Sequence, residues 1–598
     1  MNAAHPPSRP AGHALIEALI AQGVDTVFGV PGESFLAALD GFYLHRDRIR
    51  FIACRHEGGA SFMAEAQGKL SGRPGVCFVT RGPGASNAAI GLHTAFQDST
   101  PMLVLIGQVA SDQRDREAFQ EVDYRQMFGP GTLGFAKWVG EIHDADRIGE
   151  YVSRAFHTAM QGRPGPVVLV LPEDMLRAST AMPTPGRIEP ALAAPDPSAI
   201  AELQRRLVAS TRPFVIAGGS GWTAAACDAL ERFAERWQLP VGCAFRFQDV
   251  FDNRHPNYAG DVGIGINPKL AARIAGADLV LAVGARLGEM TTGGYTLLQP
   301  PRPSQSLIHI HAGADELGRV FAADLAIHSS VARAAAALGA LEAPAQLPWA
   351  DATRAARADY EANLLSTTAV APLDMAEVVK TIARLVPEDS ILTNGAGNFS
   401  GWLHRFYRYP GLRHAGRTQL APTSGAMGYG FPAAVAASLL QPRRTVVNLA
   451  GDGDFLMTSQ EMATAITYGA GSGAGKLISI VVDNGSYGTI RMHQEREYPG
   501  HVSGSDIGNP DFTALARAYG WWAAERIDDT AAFEPAFREA LGCGRPALLH
   551  LKLAADVITS RTTLQAIRAA AEARAGNVRA DAAQAAFGTK RVEEEEAK

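Results

Sequence analysis

The stretch TVVNLAGDGDFLMTSQEM, residues 445–462, places a carboxylate between two glycines where an apolar run stops. A short continuous apolar run is the mark of a strand buried on both faces of a sheet. Gly451, Asp452, Gly453 and Asp454 follow it, and Thr458 and Glu461 have the spacing of a capping box for a helix. Strand, glycine-rich turn and helix form the repeating unit of a doubly wound sheet, whose ligands sit beyond the carboxyl ends of the strands. Glycine lets an anion approach the backbone closely, and a helix N-terminus offers that anion free N–H groups and the positive dipole end.

About thirty residues on, a second buried strand, LISIVV, runs into DNGSYG at 483–488. If the two strands are neighbours, Asp452 and Asn484 emerge side by side. Both offer hard oxygen atoms, which suits Mg2+ with phosphate oxygens completing its shell. Either turn residue alone is commonplace; the pair on adjoining strand ends points to a metal–diphosphate site.

Working outward, the same alternation fills the chain. Residues 10–175 hold TVFGV, GVCFVT, PMLVLIGQV and PVVLVLP between helix-like segments. After a Pro/Ala-rich linker (180–199) come FVIAGG, PVGCAF, LVLAVGAR and LIHIHAG, then a second Pro-marked linker at 342–351. The last block carries SILTNGAG, TVVNLAGDGDF, LISIVVDN and ALLHLKL. The pattern predicts an α/β fold of three doubly wound parallel-sheet domains, at 10–178, 195–342 and 365–556. The Ala-rich tail 562–598, ending in KRVEEEEAK, reads as a solvated or flexible end.

Bulk properties fit this reading. The 598 residues exceed one core, and 47% apolar with 19% charged residues is ordinary for a soluble protein. A net charge of −6 without a basic stripe argues against nucleic acid as partner. No apolar run reaches membrane-spanning length, and the N-terminus lacks a basic start followed by an apolar core, so neither a membrane span nor a signal peptide is expected. The five cysteines are scattered without a C-x-x-C pair, which suits a reducing cytoplasm.

GDG followed after this gap by an Asp-Asn pair resembles the fingerprint of the thiamine-diphosphate enzymes, and over residues 12–555 the chain is most similar to their acetolactate synthase-like branch. The resemblance implies that Asp452, Asn484 and the main-chain carbonyl of Ser486 hold Mg2+, with Gly453 and Asp454 beside the diphosphate. TNGAGNFSGW (393–402) resembles a second diphosphate loop, with Gly397 and Asn398 as contacts. In TSGAMGYGFPAA (423–434), Gly425 would accept from the cofactor's amino group and Met427 would be the wedge that bends it.

In the first block, RHEGGA resembles the family's R-x-E-x-x-A, which makes Glu57 the glutamate that activates the aminopyrimidine ring. A carboxyl in an apolar pocket has a raised pKa and can exchange a proton near neutral pH; Gly58, Gly59 and Ala60 predict such close apolar contact. VFGVPGESF (27–35) resembles a substrate loop with Glu33 after Pro-Gly. DREAFQEVD (115–123) resembles the synthase loop that puts Phe119 and Gln120 beside the reacting carbon, and Lys137 matches a pocket lysine. Arg491 is read either as a partner for a substrate carboxylate or as an exposed helical arginine.

The family joins its activating glutamate and its diphosphate motif across two subunits, so a homodimer or homotetramer is implied. In this branch the central domain binds FAD, and IAGGSGW (216–222) and VGARLGEMTTGG (283–294) occupy the corresponding places, which leaves FAD open as a further cofactor. The implied activity is decarboxylation of a small 2-oxo acid followed by carboligation. The alternative is a decarboxylase or carbon–carbon lyase releasing an aldehyde.

Overall fold

The computed structural model describes residues 7–130, 134–365 and 372–574. Three six-stranded sheets follow one another, and every pairing within them is parallel. The first sheet runs Arg50–Ala53, Thr26–Gly29, Gly75–Val79, Met102–Gln108, Pro166–Pro172, Trp138–Glu141. Its central strands are the expected apolar runs, buried at every residue because helices cover both faces.

The central sheet is ordered Tyr258–Val262, Val241–Ala244, Pro213–Ala217, Leu279–Val283, Ser306–His311, Leu325–His328. The third runs Gln419–Leu420, Ile391–Asn394, Val446–Gly451, Leu477–Asp483, Ala547–Lys552, Trp522–Ala523. These three sheets are the α/β class that the periodicity predicts.

One core spans the first and third domains. Helix Glu57–Ser71 is buried from Gly58 to Gln67 and beyond, and helix Gly430–Leu440 is buried along nearly all its length. They pack on each other, with Phe62 and Tyr429 edge to face at 5.5 Å between ring centroids. A buried ionic cluster sits in the same seam: Tyr429 Oη donates to Glu65 Oε2 at 2.5 Å, Thr100 Oγ1 to Glu65 Oε1 at 2.7 Å, and Lys69 pairs with Glu65 and Asp98.

The linkers are shorter than expected. Ser179–Thr180 pairs with Arg9–Pro10, and helix Pro197–Ala209 begins inside the predicted linker because Asp196 caps it through Ser198 N. In the second linker Trp349 is buried, and its indole N–H donates to Trp237 O at 2.8 Å. The described part of the tail is helical over 564–574 and is tied back by an ion pair between Arg568 and Glu495; the rest of the predicted tail lies outside the described residues. No helix among the described residues is long and apolar enough to cross a membrane.

Candidate active site

Strands Val446–Gly451 and Leu477–Asp483 are neighbours, with Gly451 opposite Val482. That register delivers Asp452 and Asn484 to one sheet edge. The loops are joined directly: Gly485 N donates to Asp452 Oδ2 at 2.8 Å. Asp452 is buried; Gly453 N donates to its Oδ1 at 2.9 Å and Asn509 Nδ2 to its Oδ2 at 2.8 Å. Burial pushes its pKa above the ordinary carboxylate value despite the hydrogen bonds from Asn509 and Gly453. Asn484 Oδ1 accepts from Ser486 N at 3.2 Å, and Ser486 Oγ is buried without a partner. Among the described residues no cluster of three or more His, Cys, Asp or Glu is arranged to hold a metal. The donor set here has one carboxylate, an amide oxygen and a main-chain carbonyl, the hard-oxygen mix that Mg2+ takes when phosphate supplies the rest.

Asp483, beside Asn484, is joined to Asp452 through Asn509 and Gly485 N, which donate to both carboxylates. It accepts from His550 Nε2 at 2.8 Å and Lys552 Nζ at 3.0 Å. Burial pushes its pKa up, but those hydrogen bonds outweigh burial and hold it well below the usual carboxylate range.

Asp454 binds the neighbouring loops together. Its Oδ1 accepts from Gly428 N at 2.8 Å and Ala396 N at 3.2 Å, and burial pushes its pKa up to about 7. It lies so close to Gly395 that a Cβ there would stand 2.0 Å from its Oδ1. Asn398 N donates to Thr489 Oγ1 at 3.1 Å, which joins the Gly397–Asn398 loop to helix Gly488–Glu497. Gly425 is exposed with φ +66°, a conformation glycine adopts freely, and Met427 is half-buried next to it. Asp452, Gly453, Asp454, Asn484, Ser486, Gly397, Asn398, Gly425 and Met427 therefore share the carboxyl edge of one sheet.

The capping box is not formed. Asp452–Leu456 is a separate short helix, and the next, Glu461–Tyr468, has no side-chain cap. Thr458 Oγ1 donates to Gly428 O at 2.8 Å instead. Glu461 crosses to the first domain, where its Oε1 accepts from Arg55 N and His56 N, both at 3.1 Å. The tertiary partners win because Glu461 is buried, and a buried carboxylate needs every donor in reach.

Glu57 opens its helix as expected, with His56 as N-cap through Gly58 N. It is half-buried, Asn87 Nδ2 donates to its Oε2 at 2.9 Å, and its Oε1 lies close to Gly84. The neighbours of Glu57 belong to the first domain and those of Asp452 to the third.

Glu33 and Phe119 converge on a residue that sequence reasoning missed, and Gln120 packs against the glycine after it. Arg81 is buried at the end of strand Gly75–Val79; its Nη2 donates to Glu33 Oε1 at 2.5 Å and its Nη1 reaches Glu173 Oε2 at 3.4 Å. Phe119 lies over the guanidinium at 5.9 Å and is 72% exposed. Gln120 holds φ +65° against Gly82. Lys137 is apart from this group: it donates to Gln161 O at 2.6 Å, and burial lowers its pKa to about 8. Arg491 is half-buried and paired with Asp506 at 3.0 Å and Glu495 at 3.3 Å.

In the central domain the strand order is the one that opens a dinucleotide crevice where it reverses. Gly219 and Gly284 flank that crevice, both with positive φ, and a Cβ on Gly219 would lie 2.0 Å from Gly284 O. A cavity of about 1130 Å³ starts there, is lined by Arg163, Arg246 and Arg286, and reaches Gly397 and Gly425.

An oxygen-rich edge in one α/β domain, a glutamate-led helix in another and a glycine-flanked crevice in the central one are the marks of a cofactor enzyme built from repeated sheets. Residues 9–127 match the description "Thiamine pyrophosphate enzyme, N-terminal TPP binding domain", residues 200–338 the central domain of the same family, and residues 395–551 its C-terminal TPP binding domain. The chain belongs to the thiamine pyrophosphate enzymes. It is similar to an acetolactate synthase large subunit of Parasynechococcus marenigrum, 32% identical over 523 residues, covering 85% of this chain and 82% of the relative. It is also similar to the acetolactate synthase isozyme 2 large subunit of Escherichia coli K12, 30% identical over 551 residues, covering 90% of this chain and 94% of that one.

Proposed function

We propose that the chain decarboxylates a small 2-oxo acid and joins the remaining fragment to a second carbonyl compound, using thiamine diphosphate and Mg2+. The observation that carries this reading is the Gly451–Val482 register, which sets Asp452, Asn484 and Ser486 on adjoining loops in a chain whose relatives are named acetolactate synthases.

Thiamine diphosphate, when bound, supplies a nucleophilic carbon and the sink for the electrons released with CO2. Asp452, Asn484 and the Ser486 carbonyl hold the metal that neutralises the diphosphate. Gly425 and Met427 orient the ring system, which removes part of the entropic barrier. Glu57 would hold and return a proton at the ring nitrogen of that group, with Asn87 fixing its Oε2. Arg81 fixes Glu33 at the cleft, and Phe119 and Gln120 shape the space for the acid.

Exposed apolar side chains flank both half-sites, Ile90 beside Asn87 and Met457 beyond Asp454. A second copy would cover both, so we propose a homodimer as the smallest active unit, with a homotetramer as its doubled form. All five cysteines are free thiols, in keeping with a cytoplasmic enzyme. For the central cavity, the glycine-flanked crevice with Arg163 and Arg286 has the donor set for a nucleotide diphosphate, and FAD is the form the resemblance implies; visible flavin absorbance of the purified protein tests it.

The deciding experiment supplies pyruvate, Mg2+ and thiamine diphosphate and identifies the product. Acetolactate with CO2 is expected. Acetaldehyde alone would instead make the chain an aldehyde-releasing decarboxylase or lyase.

A further inference from the structure

Asn509 lies 57 residues beyond Asp452 in sequence, yet its side chain sits against it. Its Nδ2 donates to Asp452 Oδ2 at 2.8 Å and to Asp483 Oδ1 at 2.9 Å. One amide group thus gives one hydrogen to each of two carboxylates. Its Oδ1 is buried with no partner. A flipped amide would aim an oxygen at two carboxylate oxygens, so the network admits only this orientation.

The consequence falls on Asp452. Each carboxylate oxygen has two lone-pair directions. Oδ2 uses both, for Asn509 Nδ2 and Gly485 N, whereas Oδ1 uses one, for Gly453 N. The oxygen left to bind a cation is Oδ1. On the other side, Asp483 is anchored by His550, Lys552 and Gly485 N, the last at 2.9 Å, so it is the fixed post from which Asn509 is held.

We propose that Asn509 is a positioning residue of the metal site: braced against Asp483, it pins Asp452 so that Oδ1 alone faces the cation. This rests on the reading of Asp452 as the metal ligand. It also gives Asp483, held by His550 and Lys552, a task that a neutral side chain would perform poorly.

The test uses full-length protein stripped of metal, saturated with thiamine diphosphate and titrated with Mn2+, whose free form is counted by electron paramagnetic resonance. Asn509→Ala should weaken Mn2+ binding by about 10–100-fold, the usual cost of losing a partner that orients a metal ligand. The melting temperature of the metal-free protein should stay at the wild-type value, which a merely structural role would not allow. Wild-type affinity in Asn509→Ala, or parallel loss of affinity and metal-free melting temperature, overturns the proposal. Should that variant not fold, Asp483→Asn decides: it keeps the shape but releases the brace, and several-fold weaker binding is expected, unchanged affinity again overturning the idea. A wild-type protein that takes up no Mn2+ would remove the Asp452 reading itself, and the proposal with it.

Discussion

Numbered along the chain, the strands of the first and third domains both run 2-1-3-4-6-5 across the sheet. The helix after strand 2 is the one buried in each, and those two helices form the seam between the domains. What differs is the chemistry at equivalent strand ends. Strand 3 of the third domain ends in Asp452, buried and facing a loop of hard oxygens; strand 3 of the first ends at Arg81, buried between Glu33 and Glu173. After strand 2 the first domain has Glu57 and the third has the Gly425–Met427 turn. On the proposed reading, one scaffold used twice would serve as a cation-and-anion grip in one copy and a proton-exchanging, acid-facing surface in the other. The central domain, ordered 3-2-1-4-5-6, stands outside this pairing.

The hardest test of that division sets Asp452→Asn against Glu57→Gln. The first leaves one acceptor where Gly453, Gly485 and Asn509 now reach two oxygens, and it removes the ligand charge. Binding of metal and thiamine diphosphate should be lost, with turnover falling beyond the roughly 10–100-fold typical of outer-shell changes. Glu57→Gln should keep both bound while turnover drops about 10²–10⁴-fold, the range for a removed acid–base group. Calorimetric titration of the cofactor with metal, beside CO2 release, separates the outcomes. Equal loss of cofactor binding in both variants would break the division.

The seam between the copies gives a smaller effect. Tyr429→Phe removes the hydroxyl that donates to Glu65, a carboxylate buried completely and served otherwise only by Thr100 and Lys69 among the described residues. An unsatisfied buried acceptor costs about 1–3 kcal/mol. Denaturant unfolding should show a loss of that size while the Mn2+ affinity of the third domain stays unchanged. A fall in metal affinity would mean that the seam and the metal edge are one cooperative unit.

Much of this comparison could be read before any coordinates. The central strands of every sheet are continuous apolar runs, since both faces are covered, and such runs stand out in sequence. The edge strands were harder. Gln419–Leu420 and Trp522–Ala523 are two residues long, and Tyr258–Val262 interrupts its apolar side chains with Gly260 and Asp261, so neither length nor periodicity marks them. The clustering of Asp452 and Asn484 at one sheet edge was legible because both lie at the ends of neighbouring apolar strands. Asn87, Arg81, Asn509 and Glu461 were not, because each acts on a residue brought near only by folding. Thr458 and Glu461 show how local spacing misleads: three residues apart suits a capping box, but it also suits two side chains reaching for different tertiary partners.

The mildest effect lies at the edge of the third domain, where Glu495 holds the C-terminal helix through Arg568 and also pairs with Arg491. The hydrogen bonds from Arg568 and the flanking groups lower the Glu495 pKa to about 2. A carboxylate with a folded pKa below its unfolded value of about 4.3 adds stability above that value and loses it as pH falls toward the folded one. The anchorage of residues 564–574 should therefore hold at neutral pH and fade between about pH 4 and pH 2. An acid-tolerant protease should cut that helix several-fold faster at pH 3 than at pH 5, whereas Arg568→Ala should be cut equally fast at both. No equivalent strap ties the first domain in the described residues, so its cleavage should not follow the same curve; if it does, the pH effect belongs to global unfolding and not to this ion pair.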